Sequence, residues 1–267
     1  MNLFISRLIL NPRSRRVANE LLHPYEMHRT LMHAFKKVQI EPETEARSRL
    51  GMLFRAEQDN NHNEVKVYVQ SLFEPDWDYL YDIENYLYKS TYLSECDCKD
   101  VWPVYQRIRC GQKFMFRLRA NPTKRIGNSE GNVKGKRVEL SSEEDQINWL
   151  IRKGKAINGA LDEGFLIPQT EIEDENGMIS SIPCVKVRPE GKTVNKKYSR
   201  VTKSDLDVGK ETISHKMTHY AAVFDGVMEV TNPDEFIRII VSGIGPAKAF
   251  GFGLLSIAPL GAFIPEE

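Results

Sequence analysis

Apolar and polar positions along the chain spell out strand, helix, strand, strand, helix, strand, and then the same order again. Asn2 to Leu10 is apolar and β-prone, and Asn11-Pro12 stops it, which predicts a strand and a turn. Pro24 opens a helical stretch in which Met27, Leu31, Ala34 and Phe35 recur at spacings of three and four, predicting one buried helical face that ends near Val38. Leu50 to Ala56 and Val65 to Leu72 read as strands joined by a polar loop at Asp59 to Asn63. Glu74-Pro75-Asp76 predicts a second helix packed through Trp77, Leu80 and Tyr81, and Val101 to Ile108 a fourth strand. After a turn at Cys110-Gly111-Gln112, Lys113 to Asn121 alternates cleanly: Phe114, Phe116, Leu118 and Ala120 point one way, Lys113, Met115, Arg117 and Arg119 the other. Ser141-Ser142-Glu143-Glu144 is a helix-start signature leading into Ile147, Leu150 and Ile151. Phe165 to Ile172 reads as a strand and Asp174 to Glu211 as a loose insert. His215 to Phe224 is a strand with a turn at Asp225-Gly226, Asn232-Pro233-Asp234 caps a helix through Val241, and Gly251 to Ala258 is the last strand. The order predicts an α+β protein of two tandem ferredoxin-like βαββαβ units, residues 1–109 and 110–267; a single irregular α+β domain is the alternative.

The first predicted helix carries the densest candidate chemistry. Leu21 to Phe35 holds three histidines, a tyrosine and an arginine in fifteen residues. Tyr25 and His28, three apart, lie on neighbouring parts of one helix face. A histidine titrates near pH 7, so such a pair suits proton transfer; a core histidine with satisfied hydrogen bonds is the other reading. His33 lies five residues on, roughly 140° round the helix, and does not share that face. His23, His28 and His33 lack the i, i+4 spacing of a helical zinc pair. His215-x-x-x-His219 shares a strand face without an evident third ligand, which favours a structural role.

Charge changes the picture by its distribution. Lysine plus arginine equals aspartate plus glutamate at 37 each, so the net charge is zero. Between Lys99 and Arg137, however, eleven basic residues face only Asp100 and Glu130. A second run, Lys186, Arg188, Lys192, Lys196, Lys197, Arg200 and Lys203, is opposed by Glu190 alone. Either run alone reads as a solvated face; two, one of them on the polar side of a strand, point to a phosphate-backbone surface. Four cysteines without framework spacing predict a reducing, cytoplasmic setting. The N-terminal apolar run lacks signal-peptide form, and no apolar run approaches membrane-spanning length. Gly243-Ile244-Gly245-Pro246-Ala247-Lys248-Ala249-Phe250-Gly251-Phe252-Gly253 is neither a Walker loop nor a dinucleotide fingerprint. Two readings fit it equally: tight packing against the core, or glycines that let backbone N–H groups approach a phosphodiester, with Lys248 adding charge.

Four strings, taken in order, carry a family resemblance. They are Asn11-Pro12; Pro24-Tyr25-Glu26-Met27-His28-Arg29-Thr30-Leu31; Phe116-Arg117-Leu118-Arg119-Ala120-Asn121-Pro122 followed by Lys124-Arg125; and the glycine-rich stretch through Leu254-Leu255. Together they resemble the CRISPR-associated endoribonuclease of type I-E systems, the CasE (Cse3) family, from end to end. The resemblance implies a tandem ferredoxin-like, RAMP-type fold. It implies cleavage of repeat hairpins in a CRISPR transcript, retention on the mature guide RNA, and membership of a Cascade-type complex with other protein subunits. It also implies a catalytic His28 supported by Tyr25.

The chemistry follows from the substrate. RNA supplies its own nucleophile, the 2′-OH beside the scissile phosphate, so a base that takes its proton and groups that steady the phosphate charge suffice without metal or cofactor. The products are a 2′,3′-cyclic phosphate and a 5′-OH. His28 is the expected base. Tyr25, whose side-chain type titrates at about 10, is expected to orient the phosphate. Arg29 is expected to stabilise transition-state charge, and His33 or a lysine to assist protonation of the leaving oxygen. Expected RNA contacts are Arg13, Arg15, Arg16, Arg117, Arg119, Lys124, Arg125, Lys186, Arg188, Lys192, Lys196, Lys197, Arg200, Gly243, Gly245, Lys248, Gly251 and Gly253. Two alternatives stay open: a non-catalytic RNA-binding subunit, and a metal-dependent nuclease using Glu171, Glu173, Asp174 and Glu175.

Overall fold

A computed structural model describes residues 1–38, 49–59, 63–89, 94–126, 136–155, 163–173, 175–200 and 212–260. The first half runs β1 (Phe4–Leu10), α1 (Arg15–Leu22), α2 (Pro24–Met32), β2 (Leu53–Asp59), β3 (Glu64–Ser71), β4 (Cys96–Asp100) and a four-residue helix, α3 (Trp102–Tyr105). The second half runs β5 (Lys113–Ala120), β6 (Thr123–Ile126), β7 (Lys136–Glu139), α4 (Glu143–Gly154), β8 (Phe165–Leu166), β9 (Gln169–Glu173), β10 (Ile179–Pro183), β11 (Val185–Arg200), β12 (Thr212–Val230), α5 (Pro233–Ser242) and β13 (Leu255–Pro259). The main sheets have orders β2-β3-β1-β4 and β11-β12-β5-β13, with antiparallel pairing throughout. In each, the second, third, first and fourth strands of the unit lie side by side, the ferredoxin-like arrangement.

Local chemistry sets the elements. On β5, Phe114, Phe116, Leu118 and Ala120 are buried and the intervening side chains are half-buried or exposed, as alternation requires. The Ser142 hydroxyl accepts from Asp145 N–H at 3.2 Å to start α4, and Asn232 Oδ1 accepts from Asp234 and Glu235 N–H at 3.0 and 3.1 Å to start α5. On α2 and the 3₁₀ turn after it (His33–Phe35), Met27, Leu31, Ala34 and Phe35 all enter the first core. Burying each of the larger three is worth about 1.5–3 kcal/mol. That core includes Leu8, Val67 and Trp77; the second gathers Phe116, Trp149, Phe224 and Phe236.

The halves interlock through polar groups. Arg55 on β2 is buried, donates from Nε to Glu57 at 2.7 Å, and sends Nη1 to Ser256 Oγ at 3.0 Å and to the Leu254 carbonyl at 3.3 Å. Gln70 Nε2 donates to the Ile240 carbonyl at 3.1 Å. Burial pulls the Arg55 guanidinium below its usual pKa, against the pull of Glu57.

Several sequence expectations are corrected. Residues 74–88 form no second helix, only one 3₁₀ turn at Asp78–Leu80: Trp77 and Leu80 are buried, but Tyr81 is exposed. The fourth strand is Cys96–Asp100, whose alternation of partly buried and polar residues lacks an apolar signal, while Pro103 in a first helical turn makes 102–105 helical. Pro168 interrupts the expected strand 165–172, leaving the separate strands β8 and β9. The expected loose insert instead contains β10 and the sixteen-residue β11, whose many charged and polar residues conceal the strand although Val187 enters the second core. Asp225-Gly226 is no turn: β12 passes through it, and Gly226 pairs with Val185 where a side chain would strike the Cys184 carbonyl. Helix α1 and the β6–β7 hairpin were not expected. The last strand begins at Leu255 rather than Gly251, because Gly251 and Gly253 have left-handed backbone.

Candidate functional site

Pro24 occupies the first turn of α2 and presents Tyr25 and His28 one helical turn apart. Their ring centroids are 5.7 Å apart. Tyr25 lies 5.6 Å from Phe250, and His28 stacks at 6.4 Å on Phe54 of β2. His28 is buried, at 8% exposed. Phe250 comes from the 3₁₀ turn Lys248–Phe250 of the glycine-rich loop, so both halves build the pair's surroundings. That turn lies between two left-handed residues, Ala247 (φ 62°) and Gly251 (φ 77°). Ala247 bears a Cβ in that conformation, a strain that tertiary packing must hold.

Helix α2 is held by a buried carboxylate on α1. Glu20, 3% exposed, accepts from Thr30 Oγ1 at 2.7 Å, from Tyr86 OH at 2.5 Å and from Arg16 Nε at 3.1 Å. Tyr79 OH donates to the Thr30 carbonyl at 2.7 Å. Burial, then the Glu20 charge, pushes both phenols well above their usual pKa, so they remain donors. Glu20 and Arg16 of α1 and Tyr79 all bond Thr30, with Tyr86 holding Glu20 in turn, and so set the rotation of α2 and the aim of Tyr25 and His28.

Beside the glycine-rich loop lies a groove of about 550 Å³ with Trp149 in its lining. Arg125, Arg137, Lys153 and Lys248 line it, and among the described residues no carboxylate does. Arg125 and Arg137 are direct cross-strand partners on β6 and β7, a like-charge pairing that is unfavourable until an anion joins it. Burial, then Arg137 and Arg152, holds the Lys153 ammonium below its usual pKa. Lys248 Nζ also donates to the Ser242 carbonyl.

A sequence model of a family described as CRISPR associated protein matches residues 3–259. The chain is 32% identical over 257 residues, 96% of its length and all of the relative's, to the CRISPR-associated endoribonuclease Cse3 of Thermus thermophilus. The chain belongs to the CRISPR-associated CasE/Cse3 family. A second relative, the CRISPR system Cascade subunit CasE of Escherichia coli, is 31% identical over 161 residues, covering 58% of this chain and 62% of the relative. A solved structure of Thermus thermophilus Cse3 bound to an RNA representing a pre-cleavage complex superposes with a TM-score of 0.65 at 31% identity, covering 97% of this chain and all of the other.

In this CasE-family chain the expected residues fall into distinct settings. Arg29 pairs with Glu26 at 2.9 Å on the exposed side of α2. His33 packs 6.0 Å from Tyr79, away from the Tyr25–Phe250 cluster, and burial with Lys36, Arg16 and Arg29 nearby lowers its pKa. Arg13 and Arg15 are exposed, whereas Arg16 turns to Glu20 and Thr30. Arg117 pairs with Asp225 at 2.6 Å and Arg119 with Glu190 at 2.7 Å, the latter 4.5 Å above the Phe252 ring. Lys124 and Arg125 are exposed on β6. Lys186 and Arg188 are exposed on β11, and Lys192 there pairs with Glu139 at 3.6 Å. Lys196, Lys197 and Arg200 continue that strand, with side chains outside the described set, as Asp174 is entirely. A Cβ on Gly243 would meet Leu53 at 2.7 Å, and one on Gly245 would meet Trp149 at 3.0 Å, so packing accounts for both glycines; Gly251 and Gly253 sit equally close to Phe54 and Ile244. His219 lies 4.7 Å from Phe250, with Asn121 Nδ2 3.1 Å from its Nδ1. Sequence reasoning missed Phe54, Phe250 and Lys153; the last carried a signal, a lysine on α4 one turn beyond the buried Trp149.

Proposed function

We propose that this protein is an endoribonuclease that cuts CRISPR repeat hairpins in precursor RNA without a metal and remains on the mature guide RNA, in the cytoplasm, as a subunit of a Cascade-type complex. The observation that carries the reading is the Tyr25–His28 pair set against Phe250, with a groove beside the same glycine-rich loop that Arg125, Arg137, Lys153 and Lys248 line. In this reading residues 1–109 carry the chemistry and residues 110–267 grip the stem. An A-form stem is held by shape and phosphate contacts, for which Arg125, Arg137, Lys153 and Lys248 supply charge. His28 takes the proton of the 2′-OH. The 2′-oxygen attacks phosphorus, the bond to the 5′-oxygen breaks, that oxygen takes a proton from solvent, and the protonated His28 returns its own proton to solvent. Tyr25 orients the phosphate through its hydroxyl.

The test is a synthetic repeat hairpin in EDTA, paired with a copy carrying a 2′-deoxy nucleotide immediately 5′ of the scissile phosphate. Cleavage of the all-ribose RNA alone, yielding a cyclic phosphate, is the expected result. Cleavage of both overturns 2′-OH attack. Tight binding with no cleavage of either assigns the chain a purely RNA-binding role, unless added divalent metal restores cutting, which assigns a metal-dependent nuclease.

A further inference from the structure

Where a ferredoxin-like unit carries its second helix, this chain has the irregular segment 74–88, and the missing helix leaves a hollow of about 420 Å³. The hollow is preformed. Asn11 N–H donates to the Tyr86 carbonyl and Tyr88 N–H to the Ile9 carbonyl, both at 2.9 Å, so its far wall is stitched to the end of β1. Asn85 turns the chain with φ 55°, a conformation asparagine tolerates. Two tyrosines line it, Tyr81 at 57% exposed and the half-buried Tyr88, together with Arg13, Lys89 and Glu95. Exposed aromatic faces between cations suit a base that stacks and a phosphate that is paired, and a carboxylate accepts from a base amino group. Tyr81 also lines a second hollow, with Glu74, Asp76 and Asp78, whose carboxylates suit a phosphate less well than Arg13 and Lys89 do.

We infer that this hollow holds an unpaired nucleotide flanking the hairpin. The inference rests on the RNA reading above. A paired base is stacked within its helix and cannot enter, so only single-stranded RNA next to the stem fits.

The test compares cleavage-blocked 2′-deoxy hairpins with no flank, a 5′ flank and a 3′ flank by fluorescence anisotropy. Wild-type protein binds one flanked probe more tightly than the bare hairpin. Tyr81→Ala removes that gain, a loss of about fivefold or more, and leaves the bare hairpin unchanged. Tyr81→Phe retains the gain, because stacking uses the ring face. Lys89→Glu, on an exposed side chain, weakens the same flanked probe only. Flanks that add nothing in the wild type, or a Tyr81→Ala loss shared equally by all probes, overturn the inference. If the wild type binds no probe, the RNA reading itself fails, a distinct result.

Discussion

The cleft between the two sheets, about 640 Å³, is lined by Arg55, Arg117, Arg119 and Arg188, but also by Glu20, Glu57 and Glu190. The groove beside the glycine-rich loop, about 550 Å³, is lined by Arg125, Arg137, Lys153 and Lys248 and, among the described residues, by no carboxylate. Both draw on the basic run from Lys99 to Arg137, and by composition they are alike. In the cleft, three of the four arginines are answered within the protein: Arg55 by Glu57, Arg117 by Asp225 and Glu57, and Arg119 by Glu190. In the groove they stand beside one another, Arg125 opposite Arg137 and Lys153 beside both Arg137 and Arg152. Cations paired within the protein already have their charge answered, whereas cations set beside one another lower their energy when a polyanion arrives. Counting basic residues cannot separate the two, whereas their partners do.

The sharpest way to divide these roles is to remove the chemistry and leave both clusters intact. His28→Ala is expected to slow single-turnover cleavage by about 10²–10⁴-fold with hairpin Kd unchanged, read by gel and anisotropy on the same preparation. A parallel loss of binding would make His28 part of the grip.

Next is the buried end of the cleft. Arg55→Met leaves the Leu254 carbonyl and Glu57 without their donor, and a loss of about 2–3 kcal/mol of stability is expected. Denaturant unfolding reads it, and Kd measured well below the transition stays the same. Weaker RNA binding at unchanged stability would merge the cleft with the groove.

The groove is then tested against the cleft by salt. For Arg137→Ala and Lys153→Ala, the slope of log K against log salt is expected to become shallower by about 0.7–0.9 per cation removed. Arg117→Ala, which removes an already paired charge, leaves the slope as it is. Equal effects at the two sites would erase the distinction drawn between them.

The smallest effect is in pH. The Lys153 ammonium sits below its usual pKa, and a bound phosphate favours its charged form. Raising the pH towards that lowered value therefore discharges the lysine and weakens binding. Between about pH 7 and about pH 9, wild-type affinity is expected to fall a few-fold more than that of Lys153→Arg, which stays charged. Superimposable profiles would remove Lys153 from the grip.

What the chain encodes locally was legible without coordinates. The alternation on β5, the caps at Ser142 and Asn232, the buried stripe on α2 and the three-residue spacing of Tyr25 and His28 are each set within one or two turns of chain, where periodicity and hydrogen-bond chemistry act directly. Four ordered strings were enough to read the family. Segments whose local pattern does not match their tertiary setting read differently from the structure: β4 is half polar, β11 reads as loop because most of its residues are polar, and residues 74–88 carry helix-like apolar spacing that Trp77 and Leu80 spend on the core without a helix. Tertiary structure alone decided which charges are answered. Arg117 meets Asp225 across 108 residues, and Arg55 reaches Ser256 across 201. Phe54 and Phe250 close round His28 and Tyr25 from opposite halves of the chain. The side-chain period tells which face a residue takes, but the sign of the charge opposite it depends on strand order and register, and those emerge only when both sheets have assembled.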